Sequence, residues 1–218
     1  MALNINGTTG ISGVDGSVSA PAVTGTDSNT GITFPAADTI KFSTGGVERI
    51  SITNSGISGT GISAGITMAD MWRISSSFTG VSSSAYITAN WERVDTDGFG
   101  QIGTGMTESS GEFTFPSTGI YLIDFRARGS KGNGEVQYAG IKIHVTTDNS
   151  SYSEAANSFN GSGGTGYFYA ISCQHILDVT STSTHKVKFQ FEASHPADLS
   201  GNSNYTDTGV SFIRLGDT

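Results

Sequence analysis

Apolar and polar residues alternate most regularly in the stretch GIYLIDFRAR, residues 119–128. Every second residue from Tyr121 to Ala127 is apolar, and this period of two predicts a strand with one buried face. Pro116 ends the preceding strand because proline has no N–H to donate to a sheet, and Gly119 begins the next one. The stretch therefore predicts a strand, a tight turn and then a long central strand.

Short apolar runs continue from Ala69 to the C-terminus at the spacing typical of a β-sandwich or barrel. The runs IKIHVT (141–146) and VKFQFE (187–192) alternate strictly, and no stretch of the chain has a convincing helical stripe. The pattern predicts one all-β domain over residues 67–218, in which WRISSSF and AYITANWERV are two of the strands.

The first 66 residues have a different character, with 12 of the 30 glycines but only two of the aromatic residues, Phe34 and Phe42. The phrase GISG occurs twice, at Gly10 and Gly56. Two short strands around a Gly-Gly turn are predicted in DTIKFSTGGVERISITNSG. Isolated isoleucines bury little surface within one chain, so we expect this extended segment to become ordered against copies of itself or a partner. A flexible linker is the alternative.

Charge and cysteine content exclude several functions. The formal net charge of -8 leaves no basic stripe for a phosphate backbone, so nucleic acid is not expected as the main partner. The single cysteine, Cys173, lies in an apolar strand and is interpreted as a buried core thiol. The start MALNINGTTG has neither a basic nor an apolar run, and we expect neither an export signal nor membrane insertion.

Motifs associated with catalysis are interpreted as turn glycines. Residues 98–103 and 161–166 match G-x-G-x-x-G, but strands follow both, whereas a dinucleotide site needs a helix there. Residues 61–65 match G-x-S-x-G within a glycine repeat, without the α/β sheet that this motif requires. We therefore expect no catalytic residue, no cofactor and no enzymatic activity.

A metal site is not expected either. The histidines show no pairing typical of metal ligands and are interpreted as exposed strand and loop residues: His144, His175, His185 and His195. Asp95-Thr-Asp97-Gly98 resembles the start of a calcium loop, but the position of its closing glutamate is Met106. A β-turn is the preferred interpretation.

The stretch WERVDTDGFGQIGTGMTESSGEFTFPSTGIYLIDFRARG, followed later by TGVSFIRLG, resembles the globular head of the complement and tumour-necrosis-factor-like superfamily. Its most specific part is residues 111–125, where that family places an aromatic residue, a proline and then Gly-x-Tyr. The resemblance implies a ten-strand jelly roll that assembles as a homotrimer. It also implies that the FTFP turn passes the chain from an outer to a central sheet, and it leaves calcium binding by loop carboxylates open.

The N-terminal text resembles attachment and shaft segments of bacteriophage fibres, in which a Gly-Gly-x-Glu-Arg-x-x-Ile phrase recurs, here at residues 45–52. Together the two resemblances imply a virion structural protein that is assembled in the host cytoplasm. Residues 1–66 would dock on other virion proteins, and the head over residues 67–218 would bind a host surface. Two alternatives stay open: a capsid or tail decoration or joint protein with no receptor role, and a bacterial surface adhesin.

Strand parity places the expected receptor site. If the strands run alternately up and down, the connections 129–136, 159–166 and 194–207 share the end opposite Thr218. Their polar side chains suit a host-surface carbohydrate or protein, and Tyr205 could stack on a sugar ring. Ordinary solvated loops are the alternative. The candidate residues are Lys131, Asn133, Glu135, Asn160, Ser162, His195, Asp198, Asn202, Asn204 and Tyr205.

Overall fold

A computed structural model of the protein describes residues 4–6, 10–12, 15–60, 62, 65–130, 136–162 and 167–218. Within these residues the chain forms strands and turns and no helix, so the fold is all-β, as the sequence predicted. The chain divides into two compact units, Met1–Ala64 and Gly65–Thr218.

The first unit is built around a five-stranded antiparallel sheet in which the strands follow their order along the chain, β5-β6-β7-β8-β9. The pairs β1-β2 and β3-β4 form two further two-stranded sheets. The strands are β1 Asn4–Asn6, β2 Gly10–Ser12, β3 Gly16–Ser17, β4 Ala20–Pro21, β5 Val23–Thr24, β6 Gly31–Ala36, β7 Thr39–Thr44, β8 Val47–Thr53 and β9 Gly56–Gly59.

The predicted hairpin around the Gly-Gly turn is confirmed, with β7 and β8 joined by Gly45 and Gly46. Both glycines have positive φ, 60° and 73°, the geometry that a two-residue hairpin turn requires and that other residues adopt at a cost. Ile40 pairs with Ile52 and Phe42 with Ile50, so the apolar residues of the two strands lie on one face.

The second unit is a sandwich of two antiparallel sheets. The first sheet contains β10, β11, β13, β16, β19, β21 and β22, and the second contains β12, β14, β15, β17, β18 and β20. The strands are β10 Ala69–Ile74, β11 Ser76–Val81, β12 Ala85–Tyr86, β13 Trp91–Arg93, β14 Thr107–Ser109, β15 Glu112–Thr114, β16 Gly119–Ser130, β17 Val136–Thr146, β18 Ser153–Ser162, β19 Phe168–Val179, β20 Lys186–Ala193, β21 Ala197–Asn202 and β22 Gly209–Gly216.

Strand β16 is the long central strand that the sequence predicted. It pairs along its full length with β19 on one side and with β22 and then β21 on the other. The chain reaches it from β15 of the second sheet through the Phe-Pro turn, as expected. Gly119 begins the strand with φ 143°, and a Cβ there would lie 2.6 Å from the carbonyl oxygen of Gly216. Only glycine therefore fits at this crossing.

Aromatic side chains from the inner faces of both sheets form the core. Phe125 of the first sheet lies with its ring centroid 4.6 Å from that of Phe189 of the second. Phe113 of the second sheet lies 5.4 Å from Phe212 of the first. Tyr121, Ile123, Phe125 and Ala127 are all buried, which confirms the predicted alternation of β16.

Three strand predictions were incomplete. The predicted strand WRISSSF is divided at Ser75 into β10, which pairs with β22, and β11, which pairs with β21. The predicted strand AYITANWERV is divided into β12 and β13, and Asn90 between them has φ 63°, a conformation that a strand cannot continue through. The predicted loop 194–207 contains β21, which pairs with the end of β16 at Gly129 and Ser130. This extra strand changes where the residues after it lie.

Candidate functional site

Three strand ends meet at one end of the second unit, as strand parity predicted. Ser130, the last residue of β16, pairs with Phe168 of β19 and with Asp198 of β21. Strands β18 and β20 pair with Ala139 of β17 from opposite sides. The last residues of β16, β18 and β20 therefore share this end of the unit, called the distal end below. Lys131, Asn133, Glu135 and the side chain of Ser162 fall outside the described residues.

The other distal candidates already have local contacts. Asn160 donates through Nδ2 to the carbonyl of Ala170, and its Oδ1 accepts from the N–H of Gly161. The Asp198 carboxylate accepts from the N–H of Gly80 at 2.9 Å. His195 is exposed and lies 3.2 Å from the Ser194 hydroxyl. Asn160 and Asp198 therefore bond to the backbone of neighbouring strands, β19 and β11, whereas the ring of His195 is exposed to solvent.

The remaining candidates, Asn202, Asn204 and Tyr205, do not lie at the distal end. Because β21 runs back alongside β16, Asn204 and Tyr205 lie beside Arg126, four residues before the end of β16 at Ser130. Asn202 accepts from the N–H of Asn204 at 2.8 Å, which shapes the turn. The candidates therefore form two groups, one at the distal end and one on the flank of the first sheet.

The flank group borders a surface groove that we call the Arg126 groove. It consists of two adjoining depressions of about 380 Å³ and 270 Å³ that share Arg126 and Thr206. The first is also lined by Arg128, Ser172 and Asp207, and the second by Asp97, Phe99 and Tyr205. Tyr205 is 54% exposed. The groove thus combines charged groups with two aromatic rings.

Arg126 differs from the other cations of the second unit. Every other lysine and arginine described there has a carboxylate within 4 Å, as in the pair of Arg128 with Asp207 at 2.8 Å. Among the residues that the structure describes, Arg126 makes one long hydrogen bond, from Nη2 to the Thr206 carbonyl at 3.5 Å. Its exposed guanidinium therefore has unused donors. Sequence reasoning missed Arg126 because it sits within a strand, and only the register shows which residues surround it.

A buried arginine holds one wall of the groove. Arg73 is 1% exposed and donates to Glu92 and Asp95 at 2.6 Å and to the Thr96 hydroxyl at 2.8 Å. Thr96 in turn donates to the Asn204 carbonyl at 3.1 Å. This chain of hydrogen bonds connects β10 to the two loops that line the second depression, the loop that contains Thr96 and the loop that contains Asn204. Asp95 is therefore engaged by arginine, and Asp97 and Gly98 have the positive φ of a turn, which agrees with the β-turn prediction.

The outer face of the first sheet has an apolar half and a polar half. Leu122 pairs with Ile176 on β19 and with Ile213 on β22, and all three point outward. Ile176 is 59% exposed, and Leu215 and Ile102 nearby are also exposed. Arg126, with Ser172 opposite it, belongs to the polar half nearer the distal end. Adjacent exposed apolar side chains of this kind are typical of an interaction surface.

Cys173 and His185, whose side chains could in principle act as a nucleophile or a metal ligand, have structural roles. Cys173 is buried as predicted, and burial raises the pKa of its thiol to about 12. His185, expected to be exposed, is buried instead, with Thr180 and Thr184 hydroxyls at 3.4 and 3.0 Å. Within the described ranges no three His, Cys, Asp or Glu side chains come together as a metal site, and no helix is long and apolar enough to cross a membrane.

Comparison with known proteins gives a likeness of fold. No protein-family model and no curated protein matches the sequence. Murine APRIL at pH 8.5 is 11% identical with a TM-score of 0.49, over 68% of this chain and 98% of that one. Eiger TNF from S. frugiperda is 12% identical with a TM-score of 0.49, over 71% and 95%. The globular domain of the zebrafish complement 1qA protein is 12% identical with a TM-score of 0.42, over 68% and 96%.

The strand pairings described above by themselves define the second unit as an all-β sandwich. The sequence resemblance of the head predicted this class of fold. At these identities the likeness concerns fold alone.

Proposed function

We propose that the chain is a bacteriophage structural protein, a homotrimeric fibre or spike. Residues 1–66 attach it to the virion, and the head binds a carbohydrate or protein on the host surface. The observation that carries the receptor role is the Arg126 groove, which presents an unpaired arginine and the exposed ring of Tyr205 on a rigid sandwich. Polar groups and aromatic rings on loops fixed by a rigid scaffold are typical of binding sites.

The apolar half of the first sheet supports the trimer. Ile176, Leu122 and Ile213 form a continuous outward row, and burying such side chains contributes about 25 cal/mol per Å² of apolar area. Packing against the same region of neighbouring copies would remove this row from water. The Arg126 groove lies on the polar half of the same face, nearer the distal end and outside this row.

The five-stranded sheet of the first unit supports a partner for residues 1–66. Its apolar residues lie on one face, where Val23 is 51% and Ile57 63% exposed. Thr33, Ser43 and Ser51, on the opposite face, are buried. An exposed apolar face of this kind is typical of a surface against which another protein packs. The proposal therefore includes a partner surface for residues 1–66.

The decisive experiment is electron microscopy of phage particles labelled with an antibody to the head. Label on outward-pointing projections is the expected result. Label at a capsid or tail joint, together with a purified chain that fails to bind host cells, would favour the decoration protein. Label on bacterial envelopes and none on particles would favour the adhesin and overturn the virion assignment.

A further inference from the structure

We propose that the Arg126 groove binds a carboxylate-bearing sugar residue of a host-surface polysaccharide. The inference rests on the proposed receptor role of the head and names the chemical class of its ligand. It assigns three parts to the groove: Arg126 as the countercharge for the carboxylate, Asp97 as an acceptor for sugar hydroxyls, and Tyr205 as the surface for the sugar ring.

The charges of the groove favour one negative group on the ligand. The neighbouring acids Asp95 and Asp207 are already paired with Arg73 and Arg128, so neither neutralises Arg126. An exposed guanidinium with free donors matches the two oxygens of a carboxylate in a planar, bidentate arrangement. Arg126 thus offers one binding position for a carboxylate, and the carboxylate of Asp97 in the same depression, unpaired within the described part of the chain, favours a ligand whose other groups are uncharged.

The other groups favour a sugar over a simple anion. Asp97 lines the same depression as Arg126 and Tyr205 and has no ion-pair partner among the described residues. A carboxylate without a partner would repel a bare anion but accepts hydrogen bonds from hydroxyl groups. The exposed ring of Tyr205 offers an apolar face to the C–H groups of a pyranose, while its hydroxyl stays in water.

The groove is also held ready for a ligand. Its Tyr205 wall is fixed through the Thr96 bond to the Asn204 carbonyl, and its Thr206 wall through the ion pair of Asp207 with Arg128. The first depression, about 380 Å³, falls within the range of small-ligand sites, about 300–1,000 Å³, and the second, about 270 Å³, lies just below it. Little ordering entropy is lost when a ligand enters a site that is already formed.

The test measures binding of the full chain to paired probes: polygalacturonate and polysialate, each beside its carboxyl-reduced form, and a phosphodiester-linked polysaccharide. We expect binding to a carboxylated probe to fall at least tenfold on carboxyl reduction. Arg126→Gln should cause a similar loss. Arg126→Lys should cause a smaller loss, because lysine keeps the positive charge but cannot bind both carboxylate oxygens in a planar, bidentate arrangement. Arg49→Gln is the matched control, since Arg49 also lacks a carboxylate partner but belongs to the first unit.

Each result separates this inference from the receptor role. Equal binding to carboxylated and reduced probes, preference for the phosphodiester polymer, or host-cell binding that Arg126→Gln leaves unchanged would overturn the carboxylate assignment and leave the receptor role intact. Absence of binding to every probe and to host cells would overturn both. Loss with Arg126→Gln and retention with Arg49→Gln, at unchanged thermal stability, would support both.

Discussion

The carboxylate of Asp70 lies 3.0 Å from the Nε of Arg93, and its side chain is completely buried. It also accepts from the Trp72 indole N–H at 2.9 Å and from the backbone N–H of Met106 at 2.7 Å. Arg93 continues over the Trp72 ring, 4.7 Å from its centroid. One carboxylate thus ties β10 to β13 and to the segment before β14.

Replacement of Asp70 by alanine should strongly destabilise the second unit. The change removes the shared acceptor of Arg93, Trp72 and Met106, and each buried donor that it leaves unsatisfied costs about 1–3 kcal/mol. The free energy of unfolding from urea titration at fixed protein concentration measures it. Asp217→Ala is the control, because its carboxylate is exposed beside Arg214 and should cost at most about 1 kcal/mol. Equal effects of the two variants would contradict this role for Asp70.

The lowered pKa of Glu112 should make the stability of the protein depend on pH in the acid range. Burial alone would raise the pKa of Glu112, but hydrogen bonds from Lys186, Tyr152 and Lys188 outweigh it and lower the pKa from 4.5 to about 2. A carboxyl whose pKa is depressed by folding stabilises the fold above pH 4.5, and this contribution is lost as the pH falls toward 2. Glu112→Gln should therefore unfold at a lower temperature than the unaltered chain at pH 7, with the difference shrinking by pH 2.5. A difference that does not depend on pH would refute the assignment.

Sequence periodicity was sufficient for β16 because its alternation is regular and both its ends carry a turn residue, Pro116 before Gly119 and the glycine-rich stretch after Ser130. It failed at β21, where ADLSGN has a glycine in its interior and follows Pro196, so the run reads as loop. Sequence periodicity also missed Arg126. A cation is unpaired when the acids near it in space are bound to other cations, and those acids lie far from it along the chain. Such pairings depend on register and cannot be read from spacing along the chain.

Replacement of Ile176 by aspartate should convert the proposed trimer to monomers. A carboxylate at the centre of the row formed with Leu122 and Ile213 could not be desolvated without a large cost, so association would fail. Light scattering after gel filtration measures the mass directly. Gln137→Asp introduces the same charge on an exposed position of β17 and should leave the mass at three chains. A trimer that survives Ile176→Asp would place the interface elsewhere, and a monomeric unaltered chain would refute the trimer itself.

The last prediction concerns what covers the apolar face of the first unit. Val23, Ile32, Phe42 and Ile50 pair in one row across four strands, and Ile40, Ile52 and Ile57 pair in the next. If the same face of another copy covers these rows, a cysteine at position 57 should lie near its counterpart.

We therefore expect Ile57→Cys to form chain-to-chain cross-links with a short bismaleimide, seen on denaturing gels. Ser58→Cys is the matched control, because Ser58 is adjacent in β9 and points to the opposite face. Cys173 should stay silent, since burial raises the pKa of its thiol to about 12 and the thiolate is the reacting form. Cross-linking at position 58 and not 57, or equally at both, would rule out contact between copies through this face. A trimer that forms no cross-link at either position would indicate that the heads hold the copies together. The apolar face would then be covered by another virion protein.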